Sequence, residues 1–369
     1  MDENPSFKRV VIIGVGLIGG SLALALKRKG FKGLLIGVDR PEVLEVARQR
    51  QAIDESYSPE EIAAALDGAD LVFLCTPISG ILGHLRTIGP YIQPGTLITD
   101  VGSTKRKIVE TAAIHLPSQC DFIGGHPMAG SEFKGIEAAD AFLFENTTWV
   151  LTPAKPMQEE RRKAIGDLVE MTGALVLLIS PHLHDEIAAA VSHLPQMAAI
   201  ALMSLAARRQ SESSHFLKMA AGGFRDMTRI ASSPFGIWED ILATNDDMIV
   251  TYIDAFIEEL KHVRAALEHN EMRTIFDQSA RNRLSIPRDT RGFFRPHFDI
   301  LVAVQDRPGM LAIIANALVE KQINIKDIEI LKIRENEGGT MRLAFASESD
   351  RQMALELLRS RDLECRKRD

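Results

Sequence analysis

The chain has 369 residues, of which 46% are hydrophobic and 25% charged, as is usual for globular proteins. At roughly 150 residues per domain, this length predicts two or three domains. A net charge of −7 and a pI near 5.9 argue against a general nucleic-acid-binding protein. Three widely spaced cysteines fit a reducing compartment and form no cysteine-type zinc pattern. With a polar N-terminus and no uninterrupted apolar run of roughly 20 residues, we expect a cytoplasmic protein without a membrane span.

The first motif follows a β-branched apolar run, residues 10–13, that predicts a buried parallel strand. A GxGxxG pattern comes next and opens a helix, and Asp39 ends the following apolar run about 20 residues later. Such glycines permit a tight turn, close approach of a pyrophosphate and close helix–strand packing, while the helix N-terminus faces the phosphate charge. The pattern therefore predicts a dinucleotide-binding loop. The loop residues are Gly14, Gly16, Leu17, Ile18 and Gly19.

Asp39 sets the predicted cofactor preference. Its carboxylate would accept hydrogen bonds from both ribose hydroxyls and repel a 2′-phosphate, which favours NAD over NADP. Arg40, the next residue, would soften that preference. Thr76 and Pro77 follow a later apolar run, and we expect them over the cofactor, because ligands of open parallel sheets bind outside the carboxyl ends of the strands.

A second candidate site is the stretch Gly-Gly-His-Pro-Met-Ala-Gly-Ser-Glu, residues 124–132. Its glycines and proline predict a loop at a strand end and argue against a regular helix or strand. His126 could serve proton chemistry there or be a solvated turn histidine. Ser103 follows another predicted strand, and it could cap the next helix, take part in catalysis, or do both. The glycine loop, Ser103 and His126 should meet at one edge of one sheet.

Residues 180–286 predict a helical domain. A long helix should begin at Ser180-Pro181 and kink at Pro195. Its apolar residues surround the helix, which favours a dimer core, with burial inside one chain as the alternative. The three histidines of this stretch do not suit one metal ion. On a regular helix, residues 184 and 193 lie on opposite faces, and residues 182 and 193 share a face but are about 16 Å apart. By itself, the pattern around His193 favours a satisfied buried histidine over a binding residue. The three histidines are His182, His184 and His193.

Arg225 and Arg229 are four residues apart on a predicted helix that a Gly-Gly pair opens. Both side chains should therefore project from one face. Arginine suits small carboxylates because its planar fork of donors matches their geometry, although a surface helix with salt bridges is the alternative. Trp238 follows nearby in a Phe-Gly-Ile-Trp stretch.

The C-terminal part begins after a predicted linker, residues 287–296, that is rich in arginine, proline and glycine. Residues 297–369 predict the order βαββαβ, which is a ferredoxin-like sandwich. An Asp-Arg-Pro-Gly turn at residues 306–309 joins the first strand to the first helix, and Gly309 could let a small ligand approach the backbone. Since no titratable cluster is visible there, a binding role is favoured over catalysis.

Taken together, these stretches resemble the prephenate dehydrogenases of tyrosine biosynthesis, and the C-terminal part resembles an ACT module, a small amino-acid-sensing domain. The resemblance implies an α/β Rossmann-type NAD-binding domain (residues 1–179), an all-α substrate and dimerisation domain (180–286) and a ferredoxin-like ACT regulatory domain (297–369). The stretches that carry it are residues 14–21, 100–103, 124–132, 191–195, 222–230 and 306–309.

The resemblance implies an enzyme that uses NAD, and no metal, to oxidise and decarboxylate prephenate to 4-hydroxyphenylpyruvate. It makes His126 the acceptor of the hydroxyl proton and Ser103 the residue that orients the hydroxyl. It moves His193 into the substrate site and favours Arg229 over Arg225 as the carboxylate partner. Trp238 would line that site, from its own subunit or from the other subunit of a homodimer.

Pathway logic adds tyrosine as the ligand of the C-terminal module. Two alternatives remain: the same fold acting on arogenate, the amino analogue of prephenate, and a non-enzymatic sensor of dinucleotide and amino acid. The predicted regulatory residues are Asp306, Pro308, Gly309, Met310, Leu311 and Asn324.

Overall fold

A computed structural model describes residues 7–130, 133–153, 155, 157–210, 213, 215–285, 298–305, 307–334 and 338–368. The described residues fall into two compact units, one up to Arg281 and the other from Asn282 onwards. The predicted linker at 287–296 lies outside the described residues, as does Asp306.

The first unit is built on an eight-stranded sheet with the order β3-β2-β1-β4-β5-β6-β7-β8. Neighbouring strands are parallel except β6 and β7, which are antiparallel. This confirms the predicted Rossmann-type parallel sheet. The strands are β1 (Arg9–Ile13), β2 (Leu34–Val38), β3 (Glu55–Tyr57), β4 (Leu71–Leu74), β5 (Leu97–Asp100), β6 (Asp121–Pro127), β7 (Thr148–Pro153) and β8 (Leu175–Leu178).

The sheet has a hydrophobic core on each face, because side chains alternate along every strand. In β1, Val10 and Ile12 belong to one core cluster, whereas Val11 and Ile13 belong to the other. All four are at most 2% exposed, which explains the continuous apolar run in the sequence. Six helices accompany these strands: α1 (Leu17–Arg28), α2 (Pro41–Gln49), α3 (Ile62–Leu66), α4 (Ile78–Thr87), α5 (Arg106–His115) and α6 (Glu159–Met171).

The helical part of the first unit begins where the sequence predicts it. Ser180 caps the first helix by accepting a hydrogen bond from the Leu183 N–H, and Pro181 is the first helical residue. The helices are α7 (Pro181–Ala188), α8 (Leu194–Gln210), α9 (Gly222–Thr228), α10 (Phe235–Glu268) and α11 (Met272–Ser285), of which the last four residues belong to the second unit.

Pro195 produces a π-helical turn rather than a simple kink. Residues Ala189–His193 form this turn between α7 and α8, and the Leu194 N–H donates to the Ala189 carbonyl, five residues back. Proline cannot donate to the carbonyl four residues before it, so the backbone rearranges just ahead of Pro195. His193 is thereby the last residue of the π-helical turn.

The apolar faces of α7 and α8 are not buried inside the chain, so that alternative for the long helix is wrong. Within α8 the buried residues are Gln196 and Ala199. Val191 is 65% exposed and Leu205 54%. Among the described residues, the stretch Pro181–Gln210 is also long and apolar enough, by length and composition, to cross a membrane.

The second unit confirms the predicted order βαββαβ. Its four strands form an antiparallel sheet with the order β10-β11-β9-β12. The helices pack on one core with strand residues such as Val302 and Leu343. The elements are β9 (Phe298–Val304), α12 (Met310–Val319), β10 (Asp327–Arg334), β11 (Gly338–Phe345), α13 (Glu348–Arg359) and β12 (Cys365–Arg368).

Candidate active site

Two glycines of the nucleotide loop are required by close packing. Gly14 has φ +94°, and a Cβ atom there would lie 2.8 Å from the Cys75 carbonyl carbon and 2.9 Å from the Thr76 backbone nitrogen. At Gly19, a Cβ atom would lie 2.1 Å from the Gly14 carbonyl oxygen. These contacts place the loop between the ends of β1 and β4, with α1 tight against it, as the pattern predicts.

Gly16 faces open space instead. A Cβ atom there would meet nothing within 4 Å, and Gly16 is the N-cap of α1 without a side-chain cap. The Oγ1 atom of Thr76 is buried and has no hydrogen-bond partner among the described residues. Open space, the uncapped N-terminus of a helix and an unpaired hydroxyl are what a dinucleotide diphosphate needs. The loop therefore fits such a cofactor, and Pro77, the N-cap of α4, adjoins it.

Asp39 lies at the end of β2 beside this loop. One carboxylate oxygen accepts a hydrogen bond from the Val15 N–H at 2.7 Å, and the other accepts one from the Arg40 N–H at 2.7 Å. The Arg40 side chain is 70% exposed and reaches Glu42 at 3.3 Å, compared with 4.0 Å to Asp39. Asp39 is thus held by the backbone and not by the neighbouring guanidinium.

His126 lies in a strand, so the predicted loop is wrong at this point. The residues Gly124–Pro127 belong to β6 and pair with β7, with His126 opposite Val150. Gly124 and Gly125, which precede His126, do not form a turn. They allow neighbouring residues to pack closely against β6. A Cβ atom at Gly124 would lie 2.3 Å from Thr152 Oγ1, and one at Gly125 would lie 2.4 Å from the Asp100 carbonyl oxygen. Residues 131 and 132, at the end of the predicted loop, lie outside the described residues.

A chain of hydrogen bonds runs from His126 into the helical part. His126 Nδ1 lies 2.8 Å from His184 Nε2, and His184 Nδ1 lies 2.8 Å from Asp185 Oδ1. Asp185 is fully buried, and it also accepts from the backbone N–H groups of Lys105 and Arg106. Burial opposes its ionisation, but the bonds from His184 and from these N–H groups hold the pKa of Asp185 below its usual range.

The ionised carboxylate fixes the tautomers of both histidines. His184 must donate from Nδ1 to Asp185, so its Nε2 accepts from Nδ1 of His126. The Nε2 atom of His126 then carries a free lone pair. Burial, and next the proximity of His184 and Lys105, hold the pKa of His126 well below 6.5. His126 is therefore a neutral base with an oriented ring.

Lys105 lies beneath this strand and is fully buried. Its ammonium pairs with the Asp100 carboxylate and donates to the Gly125 carbonyl at 2.6 Å, next to His126. Burial lowers the pKa of Lys105, and Asp100 opposes that shift. The bond from Lys105 to the Gly125 carbonyl holds β6 in position next to His126. Removing either Lys105 or Asp100 would leave the other charge buried and uncompensated.

Ser103 is half-buried, and its hydroxyl has no hydrogen-bond partner among the described residues. The N-cap of α5 is Lys105, and Asp185 accepts hydrogen bonds from the first N–H groups of the helix. The prediction that Ser103 caps this helix is therefore wrong, because a carboxylate from α7 takes that place.

His193 is 2% exposed, and its Nδ1 atom lies 3.3 Å from Asn245 Nδ2. Its ring packs edge-on against Trp238 of the same chain, with 5.8 Å between the ring centroids. Gln196, one turn along, donates to the carbonyl of Ile230 at 3.0 Å. That bond ties the start of α8 to the segment that carries the predicted arginines.

Arg225 and Arg229 are both exposed, on α9 and on the short 3₁₀ turn Arg229–Ser232 that follows it. The predicted helix therefore ends before Arg229. Within the described part of the chain, neither guanidinium makes an ion pair, which leaves both available to an anion. The structure does not place either against His126, so their common site stays a prediction.

Four residues of this site were missed by reasoning from sequence. On a regular helix, His184 would lie on the face opposite His193. The π-helical turn breaks that regularity, and both histidines lie near Asp185, whose backbone carbonyl binds the same Asn245 amide as His193. Among the described residues, no cluster of three or more His, Cys, Asp or Glu side chains suits a metal ion. The missed residues are Lys105, His184, Asp185 and Asn245.

In the second unit, Gly309 has φ +94° and is the N-cap of α12, at the predicted strand-to-helix turn. No atom lies within 4 Å of where its Cβ would be. Pro308, Leu311 and Asn324 are exposed, and Met310 is buried. The exposed turn leaves its backbone accessible to a small ligand.

Comparison with known proteins identifies the family. Residues 22–178 match the nucleotide-binding domain of prephenate dehydrogenase, and residues 180–278 match its dimerization domain. The prephenate dehydrogenase of Bacillus subtilis is 34% identical over 356 residues, which cover 95% of this chain and 96% of that protein. The chain belongs to the prephenate dehydrogenase family.

Solved structures agree with this membership. The Aquifex aeolicus prephenate dehydrogenase in complex with hydroxyphenyl propionate and NAD⁺ is 32% identical, with a TM-score of 0.71, and covers 77% of this chain and 100% of that one. The Synechocystis arogenate dehydrogenase is 31% identical, with a TM-score of 0.68, and covers 74% and 98%. The chain is thus an oxidoreductase of the prephenate dehydrogenase family, and NAD is the cofactor that its nucleotide-binding domain fits.

Proposed function

We propose that this enzyme oxidises and decarboxylates prephenate to 4-hydroxyphenylpyruvate with NAD, in tyrosine biosynthesis. The observation that carries the proposal is the free Nε2 lone pair of His126, oriented through His184 by the buried Asp185. NAD, when bound, accepts a hydride from the carbon that bears the ring hydroxyl. The family membership supports this reaction class and leaves the non-enzymatic sensor without support.

His126 accepts the hydroxyl proton at Nε2 as the hydride leaves. The proton makes the ring an imidazolium, whose Nδ1–H points along His184 to the Asp185 carboxylate, and this arrangement stabilises the new charge. Ser103, whose hydroxyl has no other partner among the described residues, orients the substrate hydroxyl. Loss of carbon dioxide then makes the ring aromatic, so no metal ion is required as an electron sink.

The residues of the helical part hold the substrate. Arg229 binds a carboxylate of the substrate, and Arg225 is the weaker partner. Both guanidinium groups are exposed and therefore available to an anion. His193 donates a hydrogen bond from its buried ring, and Trp238, which packs on it, lines the same site. Asp39, which the Val15 and Arg40 N–H groups hold at the end of β2, favours NAD over NADP because its carboxylate would accept from the ribose hydroxyls and repel a 2′-phosphate.

The long apolar helices form a homodimer interface in this proposal. The support is the exposed apolar face of residues 181–210 and the match of residues 180–278 to a dimerization domain. The same stretch holds His184 and Asp185 with partners on the nucleotide-binding domain, which favours a subunit interface over a membrane span in a cytoplasmic enzyme. We assign residues 1–179 to cofactor binding, 180–286 to substrate and dimer contacts, and 297–369 to an ACT domain that binds tyrosine and inhibits the enzyme.

The test is the absorbance of NADH formed by the purified full chain with prephenate and NAD. Parallel reactions with arogenate, and with NADP, rank substrates and cofactors by kcat/KM. We expect prephenate with NAD to be preferred and tyrosine to inhibit. A preference for arogenate, the substrate named for the Synechocystis enzyme, would replace prephenate in the proposal. If tyrosine neither binds nor inhibits, the regulatory part of the proposal fails while the catalytic part stands.

A further inference from the structure

Asn245 interrupts α10, which is the longest helix among the described residues. It lies inside α10 with φ −143° and ψ 24°, where two helical segments meet, and it is fully buried. A non-helical backbone conformation inside a helix costs free energy. Burying a polar side chain also costs free energy unless the side chain is hydrogen-bonded. The amide of Asn245 therefore has a role that its three contacts should reveal.

These contacts reach three other elements. The amide nitrogen donates to the Asp185 carbonyl at 2.9 Å and lies 3.3 Å from His193 Nδ1. The amide oxygen accepts from Arg106 Nη2 at 2.9 Å. A guanidinium can only donate, so Arg106 fixes which end of the amide is the oxygen. The two amide hydrogens must then point to the carbonyl and to His193 Nδ1, and both of these are acceptors.

The tautomer of His193 follows from this assignment. A neutral imidazole whose Nδ1 accepts must carry its hydrogen on Nε2. Burial lowers the pKa of His193 to about 4, with His184 acting in the same direction and Asp185 in the opposite one. His193 is therefore neutral near pH 7, and within the described residues its Nε2–H has no partner.

We propose that Asn245 is a positioning residue that holds His193 as an Nε2–H donor to an acceptor oxygen of the substrate, a carboxylate or a keto group. The proposal rests on the proposed function in so far as it places His193 at the substrate. The Asn245 amide is two hydrogen bonds away from the substrate. It decides whether the buried imidazole of His193 offers the substrate a hydrogen or a lone pair at Nε2. A lone pair at that position would repel a carboxylate oxygen.

The isosteric variant Asn245→Asp reverses this choice. A carboxylate can only accept, so His193 would carry its hydrogen on Nδ1 and turn a lone pair towards the substrate. We expect the KM for prephenate to rise about tenfold or more, with a smaller effect on kcat and no effect on NAD affinity, as for a donor replaced by a repelling acceptor. A KM that stays within about twofold of the wild-type value would overturn the proposal.

The pH dependence separates this effect from a structural one. In Asn245→Asp, protonation of His193 restores the Nε2–H, because the cation carries a hydrogen on each nitrogen. The KM defect should therefore shrink as the pH falls from about 8 to about 6, whereas the wild-type KM should change little. The other charged and titratable groups near His193 are Asp185 and His184 on α7, His126 on β6 and, through Asn245, Arg106 on α5, and they are the same in both proteins. A defect that is constant over this range would contradict the proposal.

Asp247→Asn is the matched control. Asp247 is 57% exposed and binds the same Arg106, with 2.8 Å between Nη1 and Oδ2, but it makes no contact with His193 among the described residues. This variant weakens the link between α5 and α10 and leaves the Asn245–His193 contact in place. We expect a normal KM and a normal pH profile. If Asp247→Asn reproduces the defect of Asn245→Asp, the link between the helices is responsible and the proposal is wrong.

A spectroscopic measurement tests the tautomer without relying on activity. In the full chain labelled with ¹⁵N-histidine, His193 is assigned by comparison with His193→Gln. The wild-type spectrum should show hydrogen on Nε2, and Asn245→Asp should move it to Nδ1. Hydrogen on Nδ1 in the wild type would overturn the proposal whatever the kinetics, and this holds even if the variant does not fold. If the enzyme oxidises neither prephenate nor arogenate, the proposed function fails, and the spectrum still decides what Asn245 does.

Discussion

The Nδ1 atom of His126 lies 2.8 Å from the Nε2 atom of His184, and these two residues belong to different parts of the first unit. One is in strand β6 of the nucleotide-binding part, and the other is in α7 of the helical part. The base is therefore oriented by the element that follows the Rossmann-type sheet. Docking of the helical part on the sheet assembles the candidate active site, which explains why both parts are needed for one reaction.

Replacement of the base should remove turnover and keep cofactor binding. For His126→Asn we expect kcat to fall by about 10² or more, as for loss of a general base, with an unchanged Kd for NAD. The Kd is measured by fluorescence titration and kcat by NADH formation. His182→Asn is the matched control, because His182 is an exposed histidine of α7. Near-normal turnover in His126→Asn would remove the histidine from the mechanism.

Asp185 should matter for turnover although it is two hydrogen bonds from the base. In Asp185→Asn the amide can present a hydrogen to His184 Nδ1, which disfavours the tautomer that frees Nε2 of His126. We expect kcat to fall at least about tenfold. Both oxygens of Asp185 also accept from backbone N–H groups at the start of α5, so the amide nitrogen faces one of these donors in either orientation, and the free energy of unfolding should fall by about 1–3 kcal/mol. The neighbouring carboxylate gives the control: Glu186 pairs with the Tyr252 hydroxyl at 3.3 Å, and Glu186→Gln should keep normal turnover. Equal losses in both variants would argue against the relay.

The acid limb of the pH profile should lie unusually low for a histidine base. Burial and the neighbouring His184 hold the pKa of His126 well below 6.5, and protonation blocks the base, so kcat/KM should stay flat as the pH falls through 6.5. In the unfolded chain His126 and His193 take up protons near pH 6.5, whereas in the folded chain their pKa values are lowered and they stay neutral there, so the free energy of unfolding should decrease as the pH falls below 6.5. The two measurements are kcat/KM and denaturant unfolding at a series of pH values. A midpoint of the acid limb at or above 6.5 would show that the imidazole is not desolvated as the structure describes.

Much of the fold follows from local sequence signals. The apolar run in β1, the glycine loop, Asp39 at the end of β2 and the serine–proline start of α7 all use short-range physics that a sequence displays directly. The order βαββαβ of the second unit is likewise visible from alternation and turn residues. These features could be predicted because each depends on residues within one or two elements.

The remaining parts of the site depend on long-range contacts. The glycines before His126 predict a loop, yet they lie in a strand that pairs with β7. They are glycines because the Asp100 carbonyl and Thr152 leave no room for a Cβ atom. Capping of a helix is one of the two roles predicted for Ser103, yet Asp185, about 80 residues later, takes that place. The local pattern was correct about which residue types sit there, but the partner that decides their role is supplied by another element.

Two glycines of the nucleotide loop offer a matched pair of variants. At Gly16 a methyl group meets no protein atom within 4 Å and φ is −83°, so Gly16→Ala should fold normally. That methyl would occupy the space reserved for the diphosphate, and we expect the Kd for NAD to rise at least about tenfold with an unchanged Tm. In Gly14→Ala the methyl group would collide with the backbone of Cys75 and Thr76 at φ +94°, so the Tm itself should fall. If Gly16→Ala binds NAD normally, the diphosphate does not pass over this loop.

Arg229 is predicted to bind a substrate carboxylate. Because its side chain is exposed, its removal should change substrate binding without changing the packing of the protein. Arg229→Ala should raise the KM for prephenate roughly tenfold to a hundredfold, the effect of losing a charge-assisted hydrogen bond of about 1.5–3 kcal/mol, and should leave the Tm and the Kd for NAD unchanged. Arg225→Ala, one turn earlier on the same segment, removes an equal charge and should raise the KM less. Steady-state kinetics over a range of prephenate concentrations separates KM from kcat in both variants. Equal effects would mean that the segment attracts the anion by its overall charge, whereas an unchanged KM in Arg229→Ala would make this arginine a surface residue without a part in substrate binding.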